Sequence, residues 1–285
     1  MRLSLPPSFR IVTLRKAIRV LLAFTFVGTL FAGCSAYNKA LKGDDLDLKL
    51  STAEKLYEDG KFERAIPLLE ELTALTRGTS ISERVQYYLA KCYFGMKDYT
   101  LGGFYLATFT KTFPTSQYAE ECAFLAAYCY YKNSPDHELD QGDTHAALDA
   151  LQLFLVRYPR SERKDTCNAL IDVLRNKLEL KDFEGAKQYA QLRNYQAAGV
   201  ALDEFLKRWP NSRFREEVMY MMLTSAQKLA QGSVPAKRED RLREAIRTYH
   251  NFADAFSDSR YLTEAKRIEA SLEAQLDQIT KGTTP

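Results

Sequence analysis

The chain has 285 residues, 46% hydrophobic and 27% charged, which suits a folded body and is long enough for a large core or two domains. The net charge of +3 is misleading: of 40 Lys and Arg, Arg2, Arg10, Arg15, Lys16 and Arg19 precede residue 34 with no acid among them, leaving 35 against 37 Asp and Glu. A near-neutral body with interspersed charge lacks the basic footprint of a nucleic-acid binder, and that class is set aside.

Those five cations precede Val20–Phe31, an apolar run of twelve residues. A membrane-crossing helix needs about 20. A basic start, a short apolar run and then small residues is the pattern of a secretory signal. The junction Leu30-Phe31-Ala32-Gly33-Cys34 resembles a bacterial lipobox, with Phe31 where Ala or Ser is usual. Residues 1–33 therefore read as a lipoprotein signal peptide and Cys34 as the acylated residue. Ser35 is similar to the default that sorts lipoproteins to the outer membrane. Residues 34–48 form a lipidated tether, and two or three acyl chains give stable anchoring where one is marginal.

The body is written in a repeated grammar. Before Pro210 come Ala198, Leu202, Phe205 and Trp209, and their spacing places all four side chains on one helix face. Pro210 then stops the helix, having no N–H to donate and forcing Trp209 out of the α region. The pattern recurs before Pro159 (Ala147, Leu151, Phe154, Tyr158) and Pro114 (Gly102, Leu106, Phe109, Phe113). It recurs before Ser257 without proline (Ala245, Tyr249, Phe252, Phe256) and, weakly, before Arg77 (Ala65, Leu69, Leu72, Thr76). Each aromatic-Pro stop is followed by Ser and a second periodic helix, which makes a helix–turn–helix unit. In residues 82–114, Leu89-Ala90, Tyr93, Gly102, Leu106 and Pro114 resemble a tetratricopeptide repeat (TPR), with Ala90 and Gly102 small where two helices cross. The expected fold is all-α: a TPR-like superhelix of about five repeats with a C-terminal capping helix at 258–279.

The stops are 37, 45, 51 and 47 residues apart, longer than a TPR. The excess reads as a polar loop between Tyr131 and Asp143, with Asp143 as the next helix's N-cap. A second polar loop is expected between Gln231 and Asp240, and one long helix over 161–191. Asp98 is placed to cap its helix. Cys92, Cys122, Cys129 and Cys167 fit no metal spacing, and read as small hydrophobes at packing positions.

Catalytic chemistry is not written here. His137, His145 and His250 form no ligand set of known spacing, although Asp136, Glu138, Asp140 and Asp143 lie near the first two. The pairs Glu70-Glu71 and Glu216-Glu217 read as solvated helix faces. No Gly-rich phosphate loop or nucleophile set is found, so no enzyme, cofactor or metal is expected. What remains is surface. The first helices of successive TPR units line a groove, which points Arg84, Tyr87, Lys91, Phe124, Tyr128 and Tyr131 into it. Tyr with Lys or Arg suits an extended peptide, whose side chains the rings cover and whose carboxylates the cations meet.

Taken together, Gly33-Cys34, Tyr57-Glu-Asp-Gly-Lys-Phe62-Glu-Arg-Ala65, and the stops Phe113-Pro114-x-Ser116 and Tyr158-Pro159-x-Ser161 carry a family resemblance. So does the insertion Ser134-Pro135…Leu139-Asp140-Gln141…Ala147 to Phe154. From residue 34 to about 275 the chain resembles the BamD family, TPR lipoproteins of the outer-membrane β-barrel assembly machinery. The resemblance implies a periplasm-facing scaffold on the outer membrane. Its N-terminal units, 49–160, would engage unfolded outer-membrane proteins. The long helix and C-terminal units, 161–280, would hold a barrel-forming subunit of the BamA type. The family makes the second contact with basic residues early in the last repeat, where Arg213 and Arg215 stand near Glu216. The alternative is another TPR lipoprotein adaptor, a pilotin or a cell-wall synthesis regulator.

Overall fold

The computed structural model describes residues 37–282; the expected signal peptide, residues 1–33, and Cys34 lie outside them. Among the described residues all regular structure is helical. After a helical segment at 37–42 come α1 (Leu46–Glu58), α2 (Phe62–Leu75), α3 (Ser82–Gly95), α4 (Tyr99–Thr112), α5 (Ala119–Asn133) and α6 (Gly142–Arg157). These are followed by α7 (Lys164–Gln191), α8 (Tyr195–Arg208), α9 (Arg215–Gln231), α10 (Pro235–Ala255) and α11 (Leu262–Gly282). They form two compact units, one of residues up to 134 plus 142–167, the other of 135–141 plus 168 onward.

In the first unit each of α1 to α5 packs on the next, and α1 also meets α3, as in stacked TPR-like hairpins. Ala65, Leu69 and Leu72 of α2 lock against Ala53, Leu56, Val85 and Leu89, all buried. Two turn types recur between the helices. Within a hairpin, Gly60 N–H bonds Tyr57 O and Lys61 N–H bonds Leu56 O, with Gly60 at φ 71°. Lys97–Asp98 and Arg193–Asn194 repeat both bonds, with φ of 62° and 59°. This is the Schellman closure that satisfies the last carbonyls of a helix. Asp98 and Asn194 then cap the next helix by accepting from Leu101 N–H and Ala197 N–H.

Between hairpins the aromatic stop operates. The N–H groups of Phe113, Tyr158, Trp209 and Phe256 each close onto the phenylalanine four residues earlier, and the serine three residues later bonds back to the stop's carbonyl. That serine's Oγ also accepts the N–H two residues on: Tyr118 at 3.0 Å, Arg163 at 3.1 Å, Phe214 at 2.9 Å and Tyr261 at 2.9 Å. Small residues sit where backbones meet: a Cβ on Gly102 would lie 3.2 Å from Phe94 N.

The second unit stacks α8 on α9, α9 on α10 and α10 on α11, with Phe183 and Ala186 of α7 in one core beside Ala198, Leu202 and Phe205 of α8. Around Leu223, Leu242, Tyr249 and Phe252 lies a second core, closed by Ala265, Ile268 and Leu272 of α11. Several boundaries differ from the sequence reading: the stretch expected as a 34–48 tether is helical at 37–42 and opens α1 at Leu46, and the long helix expected from 161 starts at Lys164. The expected loop at 231–240 ends at Val234, because Pro235 is well placed as the first helical residue, where no N–H is needed. Asp143 is inside the first turn of α6, and the hydroxyl bonded across that start is Thr144, 2.6 Å from Ser134 Oγ. The capping helix begins at Leu262 because Phe256 to Ser259 repeat the stop turn.

The 135–141 loop belongs with the second unit. Lys181 of α7 donates to the carbonyls of His137 at 3.0 Å and Leu139 at 2.8 Å, and the Gln141 side-chain amide donates to Asp136 O and Leu139 O.

Candidate functional site

The expected groove residues lie on α3 and α5, first helices of successive hairpins. Arg84 reaches Glu54 of α1 at 2.5 Å. Lys91 meets Glu121 of α5 at 2.5 Å, and the Tyr87 hydroxyl donates to the other oxygen of the same carboxylate at 2.9 Å. Glu121 is partly buried, which by itself would raise its pKa. The Lys91 ammonium and Tyr87 hydroxyl outweigh burial and, with Arg163, hold the carboxyl below the usual range. Burial and the same carboxylate push the Tyr87 phenol upward, so it stays a donor. The expected cations are therefore compensated within the chain.

The aromatic candidates divide. Tyr128 and Tyr131 are half-buried neighbours, ring centroids 5.8 Å apart, and Tyr128 also lies near Phe94 and Phe124. Phe124 is buried and packs edge-on against Phe154. Tyr87 stacks on Tyr118 at 4.1 Å. These two occupy a structural position of the repeat. Phe183 on Phe214 and Tyr220 on Tyr261 are stacked the same way, at 4.2 and 4.3 Å. In each case the partner is the residue two after the turn serine. The fourth member of the set is Arg163, whose guanidinium lies 4.7 Å from the Phe124 centroid.

Arg163 was not singled out by sequence reasoning, although its position two after Ser161 was the available signal. It is exposed and, with Arg160, Gln117, Glu120 and Thr166, lines an open depression of about 680 Å³. The resulting surface combines half-buried phenols, a guanidinium over an aromatic ring, and charges already paired.

Other residues read in the sequence have structural duties. Glu70 accepts from the Tyr93 hydroxyl at 2.7 Å and Glu71 pairs with buried Lys49 at 2.5 Å, so neither is a free solvated carboxylate. His137 is held by its backbone carbonyl. Cys92, Cys122, Cys129 and Cys167 are all buried free thiols, and burial pushes the first three up to about 12. Among the described residues no group of three His, Cys, Asp or Glu is arranged for a metal ion, and no helix is long and apolar enough to cross a membrane.

A family model described as outer membrane lipoprotein, YfiO, matches residues 49–200 and 189–279. The chain belongs to this family. It is the BamD family that the sequence resembles, and the two matched stretches together span helices from both units. No individually curated protein matched the sequence. Among solved structures, a thermophilic TPR protein from Thermus thermophilus is similar at 18% identity and TM-score 0.33, over 81% of this chain and 100% of that one. The TPR2AB-domain of yeast Sti1, in a complex with pHSP90, is similar at 14% and 0.38, over 83% and 94%. Neither likeness bears on function.

The family's second match contains Arg213 and Arg215. The Arg213 guanidinium lies 4.7 Å from the Phe214 centroid, while Arg215 donates to Pro210 O at 3.3 Å. Both are at the α8–α9 turn of the second unit.

Proposed function

We propose that this protein is a non-catalytic, lipid-anchored scaffold of the outer-membrane β-barrel assembly machinery, tethered through Cys34 and facing the periplasm. The match of the helical body, residues 49–279, to the outer membrane lipoprotein family carries this reading. In the first unit, the face built by Arg84, Tyr87, Lys91, Tyr128, Tyr131 and Arg163 receives extended segments of unfolded outer-membrane proteins. Rings cover apolar side chains, while hydroxyls and cations bond backbone and carboxylate groups. Because Arg84 and Lys91 are paired with Glu54 and Glu121, an incoming carboxylate exchanges one partner for another. Both pairs are partly exposed and contribute on the order of 1 kcal/mol each, so exchange in either direction is shallow. That suits a site handing chains onward. The α8–α9 turn, with Arg213 and Arg215, meets the periplasmic part of a BamA-type subunit.

Affinity purification from solubilised outer membranes tests this assignment. A large β-barrel protein with periplasmic repeats is expected to co-purify, and depletion is expected to lower porin levels. Clean purification without that partner, together with unchanged porins, overturns the proposal and favours a cell-wall adaptor.

A further inference from the structure

We infer that the end of the first unit where α1 turns into α2 and α3 into α4 is a membrane-contact surface that rests on phospholipid headgroups. This rests on the acylation of Cys34 proposed above. Tyr37 is three residues beyond that cysteine, a reach of at most about 11 Å for extended chain. Tyr37 is in turn fixed to the body, with Arg64 of α2 4.4 Å from its ring centroid. Whatever surrounds Arg64 is therefore held close to the bilayer.

What surrounds it is apolar and basic. Lys61, Phe62, Arg64 and Met96 line one depression of about 400 Å³, so the α1–α2 and α3–α4 turns are side by side. Lys132, at the end of α5, lies 5.7 Å from the Tyr99 ring and brings that helix end alongside. Met96 and Leu101 are 40% exposed and Phe104 is 61% exposed. Helix α4 carries one charged residue, Lys111, in fourteen, and among its exposed positions Leu101 and Phe104, three apart, share one face.

Lys61, Arg64, Lys97 and Lys132 are exposed among these side chains. The neighbouring acids are Glu58, Asp59, Glu63, Asp98 and Asp143, the last lining a depression with Tyr99 and Phe104. Asp59 is engaged by Lys61 at 2.8 Å, and Asp98 by the Leu101 N–H at 3.0 Å. Apolar side chains ringed by Lys and Arg match a bilayer interface: the apolar groups enter the headgroup–acyl boundary and the cations meet phosphates. The same chemistry suits a protein partner, but the short stretch from Cys34 to Tyr37 brings lipid to this end first. At the other end of the same helices, about 20 Å away for fourteen residues, the 113–118 turn carries Thr115.

The test uses the full-length lipidated protein in vesicles of phosphatidylethanolamine and phosphatidylglycerol. A fluorophore is attached through Met96→Cys, Phe104→Cys or Thr115→Cys; Cys92, Cys122, Cys129 and Cys167 are buried. Quenching by lipids that carry a nitroxide near the headgroup is read at each site. Quenching at 96 and 104 several-fold above that at 115 is expected, falling at 96 when Phe104→Ser and Leu101→Ser are added. Equal quenching at all three sites in vesicle-bound protein overturns the surface assignment. The anchor is tested separately: Cys34→Ala is expected to leave the membrane fraction. If it stays there, the acylation reading fails, whatever the quenching shows.

Discussion

Arg163 lies over the face of Phe124, 4.7 Å from the ring centroid, at the repeat position where Tyr118, Phe214 and Tyr261 stack on Tyr87, Phe183 and Tyr220. One of four equivalent stacks is thus cationic, and it is the one facing the open depression. Arg163→Tyr restores the pattern of its siblings, so thermal stability is expected to change by less than about 0.5 kcal/mol. Affinity for an unfolded outer-membrane protein is expected to fall, measured by fluorescence titration. Arg163→Ala removes the contact outright and is expected to cost about 1 kcal/mol in urea unfolding.

Glu121 supplies a pH test. Its pKa is depressed in the folded state from an ordinary 4.5 by Lys91 and Tyr87, against the opposing effect of burial. A depressed carboxylate contributes stability that is fully present above its unfolded value and is lost as pH falls through the folded value. Urea midpoints measured from pH 6 downward are expected to fall below about 4.5, and Glu121→Gln is expected to flatten that part of the curve. Since the pair is partly exposed, the difference should be at most about 1 kcal/mol.

The hairpin turns predict an asymmetry. Gly60, Lys97 and Arg193 share a left-handed backbone and the same two hydrogen bonds, yet only Gly60 adopts it without cost. Left-handed backbone costs an L-residue roughly 1–2 kcal/mol, partly offset by the chain entropy a glycine adds to the unfolded state. Lys97→Gly and Arg193→Gly are each expected to raise stability by about 0.5–1 kcal/mol. Gly60→Ala should lower it by a similar amount, all three read by calorimetry.

Lys181 holds the 135–141 loop through the carbonyls of His137 and Leu139. Lys181→Met keeps the length and removes the donors. Amide exchange across 135–141 is expected to speed up roughly tenfold, the factor that about 1.4 kcal/mol of lost local stability produces. The helical circular dichroism should be unchanged.

The cysteines predict silence. With Cys92, Cys122 and Cys129 pushed up to about 12 by burial, only about one thiol in ten thousand is ionised at pH 8. Iodoacetamide is expected to leave Cys92, Cys122, Cys129 and Cys167 unmodified in folded protein and to alkylate all four after urea unfolding, counted by mass spectrometry.

Much of this architecture was legible because its signals are local. Trp209-Pro210-x-Ser212 and its siblings contain the whole stop turn: the residues that end one helix, and the hydroxyl that starts the next, lie within six positions. Asp98 as a cap and Gly102 at a helix crossing were readable for the same reason. The α10 start was missed because Gly-Ser-Val-Pro reads as a loop, although a proline is also the best first residue of a helix.

By itself, then, the sequence determined the helices, their stops, the insertion before Ala147 and the lipobox-like junction, since caps, proline geometry and one-face periodicity act over three to four residues. Only the tertiary structure decided which polar groups are spoken for. Glu121 is thirty residues from Lys91, Glu70 twenty-three from Tyr93 and Phe124 thirty-nine from Arg163. Contacts of that span are set by how one hairpin is rotated on the next, and no local pattern records that angle.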